Sequence, residues 1–194
     1  MRIFLAGASG VIGARLVPLL VADGHVVAGM TRAPGNAGLL RDLGAAPVLC
    51  DVYDAAGLAG AADAFGPDLV MHQLTDLPDD VDEIAGAAGR NARIRDEGTR
   101  NLLAAATAAG CDRVMAQSIA WKLPPERAAG IAAFERQVLD ARGTVIRYGQ
   151  FYGPGTYYPR QPPPPPRIHV DAAARATADL LGAAPGVVEV AEPD

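Results

Sequence analysis

A chain of 194 residues with a formal net charge of −5, half of it hydrophobic and one residue in five charged, has length for one well-buried domain and no basic footprint for nucleic acid or an anionic membrane surface. No apolar run approaches a bilayer span, and the opening apolar stretch is broken at Gly7 to Gly10 before it could form a signal-peptide core. The expectation is a cytoplasmic protein whose partner is a small-molecule substrate, with neither nucleic acid nor membrane involved.

In chain order, the first element is a strand over Ile3 to Ala6. It runs into GASGVIG at Gly7 to Gly13 and then a helix whose apolar Ile12, Leu16, Leu19 and Leu20 recur at helical spacing. Glycines here have separate reasons. Gly7 permits the tight strand-to-helix turn, Gly10 lets a pyrophosphate approach the backbone, and Gly13 lets the helix pack on its strand, while the helix N-terminus offers free N–H groups and a favourable dipole. The spacing is Gly-x-x-Gly-x-x-Gly, and its place between strand and helix points to a bound nucleotide. Pro18 removes one backbone bond from the helix without ending it.

Strand-like runs follow at Val26 to Thr31, Pro47 to Cys50, Asp68 to Gln73, Asp112 to Gln117 and Thr144 to Gly149, alternating with helical patterns. That alternation predicts an α/β fold with a doubly wound, mostly parallel Rossmann sheet covered on both faces. One helix carries Leu102, Leu103 and Ala106 behind Gly98, a residue expected to allow close packing on the sheet. Another carries Ile131, Phe134 and Val138.

Beyond Gly149 the pattern changes to Tyr152-Gly-Pro-Gly155, Tyr157, Tyr158 and five prolines from Pro162 to Pro166. The proline run predicts extended polyproline II without sheet hydrogen bonds, a stiff surface connector rather than an SH3-type ligand. A helix from about Asp171 to Leu181 and a strand at Val187 to Val190 complete a single domain over 1–194. Cys50 and Cys111 are expected as separate reduced thiols. His72 and His169 read as structural histidines, and neither has metal-ligand spacing, so no metal is expected. The acidic run Asp76, Asp79, Asp80, Asp82 and Glu83 reads as a solvated loop edging the cleft.

Taken together, GASGVIG, Asp51-Val52, EGTRNLLAAA at Glu97 to Ala106, AQSIAW at Ala116 to Trp121, IRYGQFYGPG at Ile146 to Gly155 and IHVDAAARA at Ile168 to Ala176 make the chain resemble the extended short-chain dehydrogenase/reductase superfamily. Its members are NAD(P)-dependent epimerases and dehydratases. The resemblance implies that Gly7, Ser9, Gly10, Val11, Ile12 and Gly13 line the pyrophosphate, that Asp51 accepts from the adenine amino group and that Val52 packs on the ring. The bland alternative for Asp51 is a helix cap or loop acid. Gln73, Leu74 and Tyr148 are placed along the cofactor cleft. At the end of the second strand stand Thr31 and Arg32 where an acid would favour NAD; a guanidinium pairs with a 2′-phosphate, so NADP is expected, with NAD the alternative.

The catalytic motif departs from the family. No tyrosine has a lysine four residues later, and Lys122 is the only lysine. Aligned on Glu135, Arg127 stands at the family's tyrosine position and Ile131 at its lysine position, while Arg95 replaces the helix asparagine, with Asn91 one turn earlier. Ser118 matches the serine that hydrogen-bonds a substrate oxygen. The catalytic candidates are therefore Ser118, Tyr152, Arg95 and Lys122. Trp121 is a substrate wall or simply a rim aromatic. The substrate-binding insertion is curtailed, with residues 151–170 a Pro-rich remnant, which leaves an open site or one completed by a second chain in a homodimer. Three functions stay open: an enzyme acting on a small carbonyl or hydroxyl metabolite by atypical hydride transfer or by non-redox isomerisation, dehydration or cyclisation, a non-catalytic dinucleotide sensor, and a degenerate subunit that stabilises an active homologue.

Overall fold

The computed structural model describes residues 1–78 and 80–193, Glu126 by its backbone alone. The elements in order are β1 (Arg2–Ala6), α1 (Gly13–Ala22), β2 (Val26–Thr31), α2 (Ala37–Asp42), β3 (Ala46–Leu49), α3 (Ala55–Phe65), β4 (Leu69–His72), α4 (Ala88–Arg93), α5 (Thr99–Ala108), β5 (Val114–Ile119), α6 (Pro125–Asp140), β6 (Thr144–Tyr148), β7 (Gln150–Tyr152), β8 (Arg167–His169), α7 (Val170–Asp179) and β9 (Gly186–Val190). Seven strands form one sheet in the order β3-β2-β1-β4-β5-β6-β9, and every neighbouring pair is parallel. The order reverses between β1 and β4, which opens a crevice at the carboxyl ends of those strands, where open α/β sheets bind ligands.

The two-residue period of the strands sorts their side chains onto two cores. Ile3, Leu5, Met71, Met115, Ile146 and Tyr148 meet Leu16 and Leu20 of α1 and Ala173 and Ala174 of α7 on one face. Phe4, Ala6, Val70 and Val114 meet Leu58 and Ala62 of α3 and Leu102, Ala105 and Ala106 of α5 on the other. Beside the second core, Ala116 and Val145 take Phe134 and Val138 of α6. Each fully buried Leu or Phe contributes about 1.5 to 3 kcal/mol, so burial on both faces accounts for strands that read as nearly continuous apolar runs.

Several sequence expectations need correction. β5 continues to Ile119 rather than stopping at Gln117, so Ser118 lies within the strand, in register with Arg147 of β6. Between β4 and α5 the chain makes α4 and then a π-helical turn at Ile94–Gly98. Gly98 packs against the side chains of Val52 and Ile94 rather than on the sheet. The proline run is not without sheet bonds. Proline lacks an N–H but keeps its carbonyl, and the Pro166 oxygen accepts from the Gln150 N–H at 2.9 Å just where β8 joins β7 in a separate parallel pair. As read from the sequence, α1 continues through Pro18, and both cysteines are free thiols. Among the described residues no helix is long and apolar enough to cross a membrane. Asp79 of the acidic run lies outside the described residues.

Candidate functional site

The glycine turn at the switch point is shaped by backbone contacts. Gly7 has a φ of +89°, and a Cβ there would lie 2.5 Å from the Gln73 carbonyl oxygen. A Cβ on Gly13 would lie 2.2 Å from the Gly7 oxygen, so only glycine lets α1 start this close to its own strand. Gly10 differs, because its Cβ would meet nothing closer than the Gly7 oxygen at 3.2 Å. Its own N–H bonds that oxygen at 3.0 Å. The first helical bonds run from Ala14 to Gly10 and from Leu16 to Ile12, and Ile12 supplies no side-chain cap. Among the described residues, the N–H groups of Val11, Ile12 and Gly13 are left without acceptors, the donor set that holds an anion at a helix N-terminus.

The surrounding side chains brace this turn. Arg15 donates to the Val11 carbonyl at 2.6 Å, to Asp171 at 2.8 Å and to the Pro154 carbonyl, tying α1 to α7 and to the Gly153–Gly155 loop. Asn36 donates to Ser9 Oγ at 3.1 Å and to Thr31 Oγ1 at 3.4 Å, linking the glycine turn to the end of β2. Gln73 follows β4 and is buried, its amide close enough to the Tyr148 hydroxyl to act on that group's titration.

At the β2–β3 end, Asp51 Oδ1 accepts from the Tyr53 N–H at 3.0 Å, while the cap of α3 is Asp54. The Asp51 carboxylate is exposed, and Val52 beside it is buried, its carbonyl held by Asn101 at 2.9 Å. Arg32 is 61% exposed at the end of β2 and faces Asp76 at 3.5 Å; Arg90 approaches the same carboxylate at 3.8 Å. The residues therefore fit an adenine dinucleotide, with unpaired helix N–H groups for its phosphates and an exposed carboxylate beyond β3 for its adenine amino group, whereas Val52, expected against the ring, is buried in the core.

The far wall of the crevice is built from charged side chains. Ser118 and Arg147 are neighbours in register, and both meet Glu135 of α6. Ser118 Oγ donates to Glu135 Oε1 at 2.6 Å, and Arg147 donates to both carboxylate oxygens at 2.9 and 2.5 Å. Burial pushes the Glu135 carboxyl up, but the hydrogen bonds from Arg147 and Ser118 outweigh it and hold its pKa below the usual value. Beside this pair, His72 takes the Leu74 N–H on Nδ1 at 3.2 Å, which leaves Nε2–H to donate to Thr99 Oγ1 at 3.0 Å. Burial, aided by the charge of Arg95, lowers the His72 pKa to about 3, so the ring is neutral. Arg95 lies in the π-helical turn with its guanidinium 5.6 Å from the Phe134 ring centroid.

The structure thus gathers Ser118 and Arg95 around Glu135 and leaves the other catalytic candidates apart. Tyr152, in β7, donates to Glu192 at 2.5 Å, and that bond raises its pKa. Lys122 is exposed in the turn before α6. Tyr148 is buried in the core beneath α7, its hydroxyl 2.6 Å from Thr177 Oγ1. His169 caps α7 by accepting from the Asp171 N–H, in keeping with a structural histidine. Sequence reasoning missed Arg15, Asn36 and Arg147. Only Arg147 leaves a signal: a charge on the Val145 face of an apolar strand needs a buried carboxylate opposite.

Residues 7–141 match the family of NAD(P)H-binding domains. A 3-diazoavenalumate denitrifying reductase from a Streptomyces species is 38% identical over 189 residues, covering 82% of this chain and 59% of the reductase. The chain therefore spans little more than half the length of that relative. A decarboxylating sterol-4-alpha-carboxylate 3-dehydrogenase from Dictyostelium discoideum is 32% identical over 71 residues, 37% of this chain and 21% of the relative. Among solved structures, the NAD complex of the Thermus thermophilus UDP-glucose 4-epimerase superposes with a TM-score of 0.81 over 100% of this chain and 78% of that one, at 21% identity. The UDP-Glc/GlcNAc 4-epimerase of Campylobacter jejuni gives a TM-score of 0.80 over 98% and 78%, at 15% identity. These two likenesses establish the fold.

Proposed function

The chain belongs to the NAD(P)H-binding family, and from that premise we propose that it is an oxidoreductase that reduces a small carbonyl or similarly electrophilic metabolite, with NADP preferred to NAD. The observation that carries the reading is the set of unpaired N–H groups of Val11, Ile12 and Gly13 at the start of α1, beside a Gly10 that carries no Cβ. Similarity to a reductase over most of the chain favours redox chemistry over isomerisation, dehydration or cyclisation. Preference for NADP rests on Arg32, whose guanidinium is exposed at the end of β2, only loosely engaged by Asp76, and of the chemistry that pairs with a 2′-phosphate.

When bound, the nicotinamide supplies the hydride. The chain's own residues supply orientation and charge. Glu135, fixed by Arg147, takes the Ser118 proton in a hydrogen bond, so Ser118 offers its lone pairs to a substrate O–H or N–H, Arg95 adds positive charge on that side, and the proton that completes reduction of a carbonyl comes from water. A positioned general acid contributes roughly 10² to 10⁴-fold. Arginine stays protonated and isoleucine has no proton to give, so Arg127 and Ile131 cannot replace a tyrosine–lysine pair. Simple sugars and alcohols are therefore expected to be poor substrates.

The test is NADPH oxidation across a panel of ketones, sugar nucleotides and aromatic electrophiles, with Ser118→Ala, Tyr152→Phe and Lys122→Ala alongside. Turnover lost in Ser118→Ala and kept in the other two supports the reading. Ordinary turnover surviving all three substitutions contradicts this placement of the active site, and loss confined to Tyr152→Phe moves proton transfer to β7. A second reading, a non-catalytic dinucleotide sensor, draws on the engagement of Tyr152 with Glu192 and the solvent exposure of Lys122. Tight NADPH binding without turnover of any compound would favour it.

A further inference from the structure

Arg95 is only 9% exposed, and its Nη1 is buried without a hydrogen-bond partner. Burial lowers its pKa to about 10, so it remains a cation at neutral pH. The opposing charge that acts on it is Glu135, but both oxygens of that carboxylate are already taken by Arg147 and Ser118. Its other surroundings return no charge: Phe134 lies under the guanidinium, His72 is neutral, and Arg127 on α6 adds a second positive charge. Placing a guanidinium in such surroundings is unfavourable unless an anion completes it. The turn that carries it is π-helical, a local irregularity that recurs at functional sites.

We propose that Arg95 receives a carboxylate of the substrate, so that this protein acts on an organic acid. The proposal rests on the reductase reading, because Arg95 and the candidate Ser118 both act on Glu135, and it adds the substrate class. A planar carboxylate matches the two parallel N–H groups on one edge of a guanidinium, and the Phe134 ring, its centroid 5.6 Å from the Arg95 guanidinium carbon, takes none of those N–H groups. A phosphate dianion asks for more donors than this single fork offers. Arg127, exposed in the first turn of α6, lies where its field would draw the acid in.

The test uses trans-cinnamate and benzoate as probes against their neutral amides and against inorganic phosphate, with binding followed by NMR on the whole chain and NADPH affinity measured on the same samples. The expected result is that the acids bind at least tenfold more tightly than the amides. Arg95→Gln should lose that preference and Arg95→Lys recover only part of it, with NADPH affinity within twofold throughout. Because Arg95→Gln removes a buried unpaired charge, its Tm should equal or exceed that of the wild type. Equal binding of acid and amide, undiminished binding in Arg95→Gln, or displacement of cinnamate by equimolar phosphate would overturn the proposal. So would a lower Tm or failure of Arg95→Gln to fold, since either makes the guanidinium a structural group. If NADPH does not bind while cinnamate binds through Arg95, the reductase reading falls and the acid site stands; if NADPH binds and no acid does, the acid site falls alone.

Discussion

The two walls of the crevice are made of different material. Between β1 and α1 the wall is backbone: three glycines, a set of unpaired N–H groups, and side chains such as Arg15 and Asn36 that hold the turn from behind. Between β5 and α6 the wall is side chain: Ser118, Glu135, Arg147, Arg95 and His72, five polar groups supplied by separate elements. A backbone cradle suits a ligand common to many proteins, because phosphate needs only N–H donors and space. A side-chain wall can be rebuilt position by position while the sheet stays intact.

Substitutions should separate the two walls. The largest effect is expected at Gly13, where Gly13→Val drives a side chain into the Gly7 carbonyl and should leave no folded protein; a cooperative unfolding transition like that of the wild type would show that the glycine wall is softer than described. On the other wall, His72 carries a pH signature. Its folded pKa of about 3 lies below the ordinary 6.5, so its contribution is present above pH 6.5 and is lost as the unfolded chain alone takes up the proton, by about 1.4 kcal/mol per pH unit between those values. Urea unfolding from pH 7 to pH 4.5 should show that slope, and His72→Gln should flatten it.

Smaller effects sharpen the contrast. Glu135→Gln should cost about 1 to 3 kcal/mol at pH 7, toward the lower end because Arg147 is 42% exposed and can rehydrate. Since the Glu135 pKa is held below its usual 4.5, that stabilisation is present above pH 4.5 and fades as the pH falls through the folded value, so wild type and variant should converge in acid. Smallest is Arg32→Ala, expected to weaken NADPH about tenfold, or about 1.4 kcal/mol, and to spare NADH. Equal losses for both cofactors would remove Arg32 from the reading of the 2′-phosphate.

Legibility in the sequence follows the same division. β2 can be read to the residue, Val26–Thr31, because it is an apolar run bounded by turn signals, and the glycine spacing announces its own purpose because each glycine answers a local steric demand. β5 cannot be read to its end, because Ser118 looks like a strand terminus until Glu135, 17 residues away, is seen to accept its proton. The Pro166 carbonyl in the β7–β8 pair is invisible for a similar reason, since proline composition reports the missing donor and not the remaining acceptor. Tyr152 follows a strand that leads to the crevice, yet its hydroxyl turns to Glu192, 40 residues on, a partner that no local pattern identifies.

The most direct test of the central claim, that the glycine turn of this chain holds a dinucleotide, is a titration of the purified protein and of Gly10→Val with NADPH, followed by calorimetry. Within 4 Å a Cβ on Gly10 would meet only the Gly7 carbonyl oxygen, at 3.2 Å, so the variant should fold with a somewhat lower Tm than the wild type and lose at least a hundredfold in affinity, because its new side chain occupies the pyrophosphate site. Unchanged NADPH affinity in a folded Gly10→Val protein, or no saturable binding by the wild type, would contradict it.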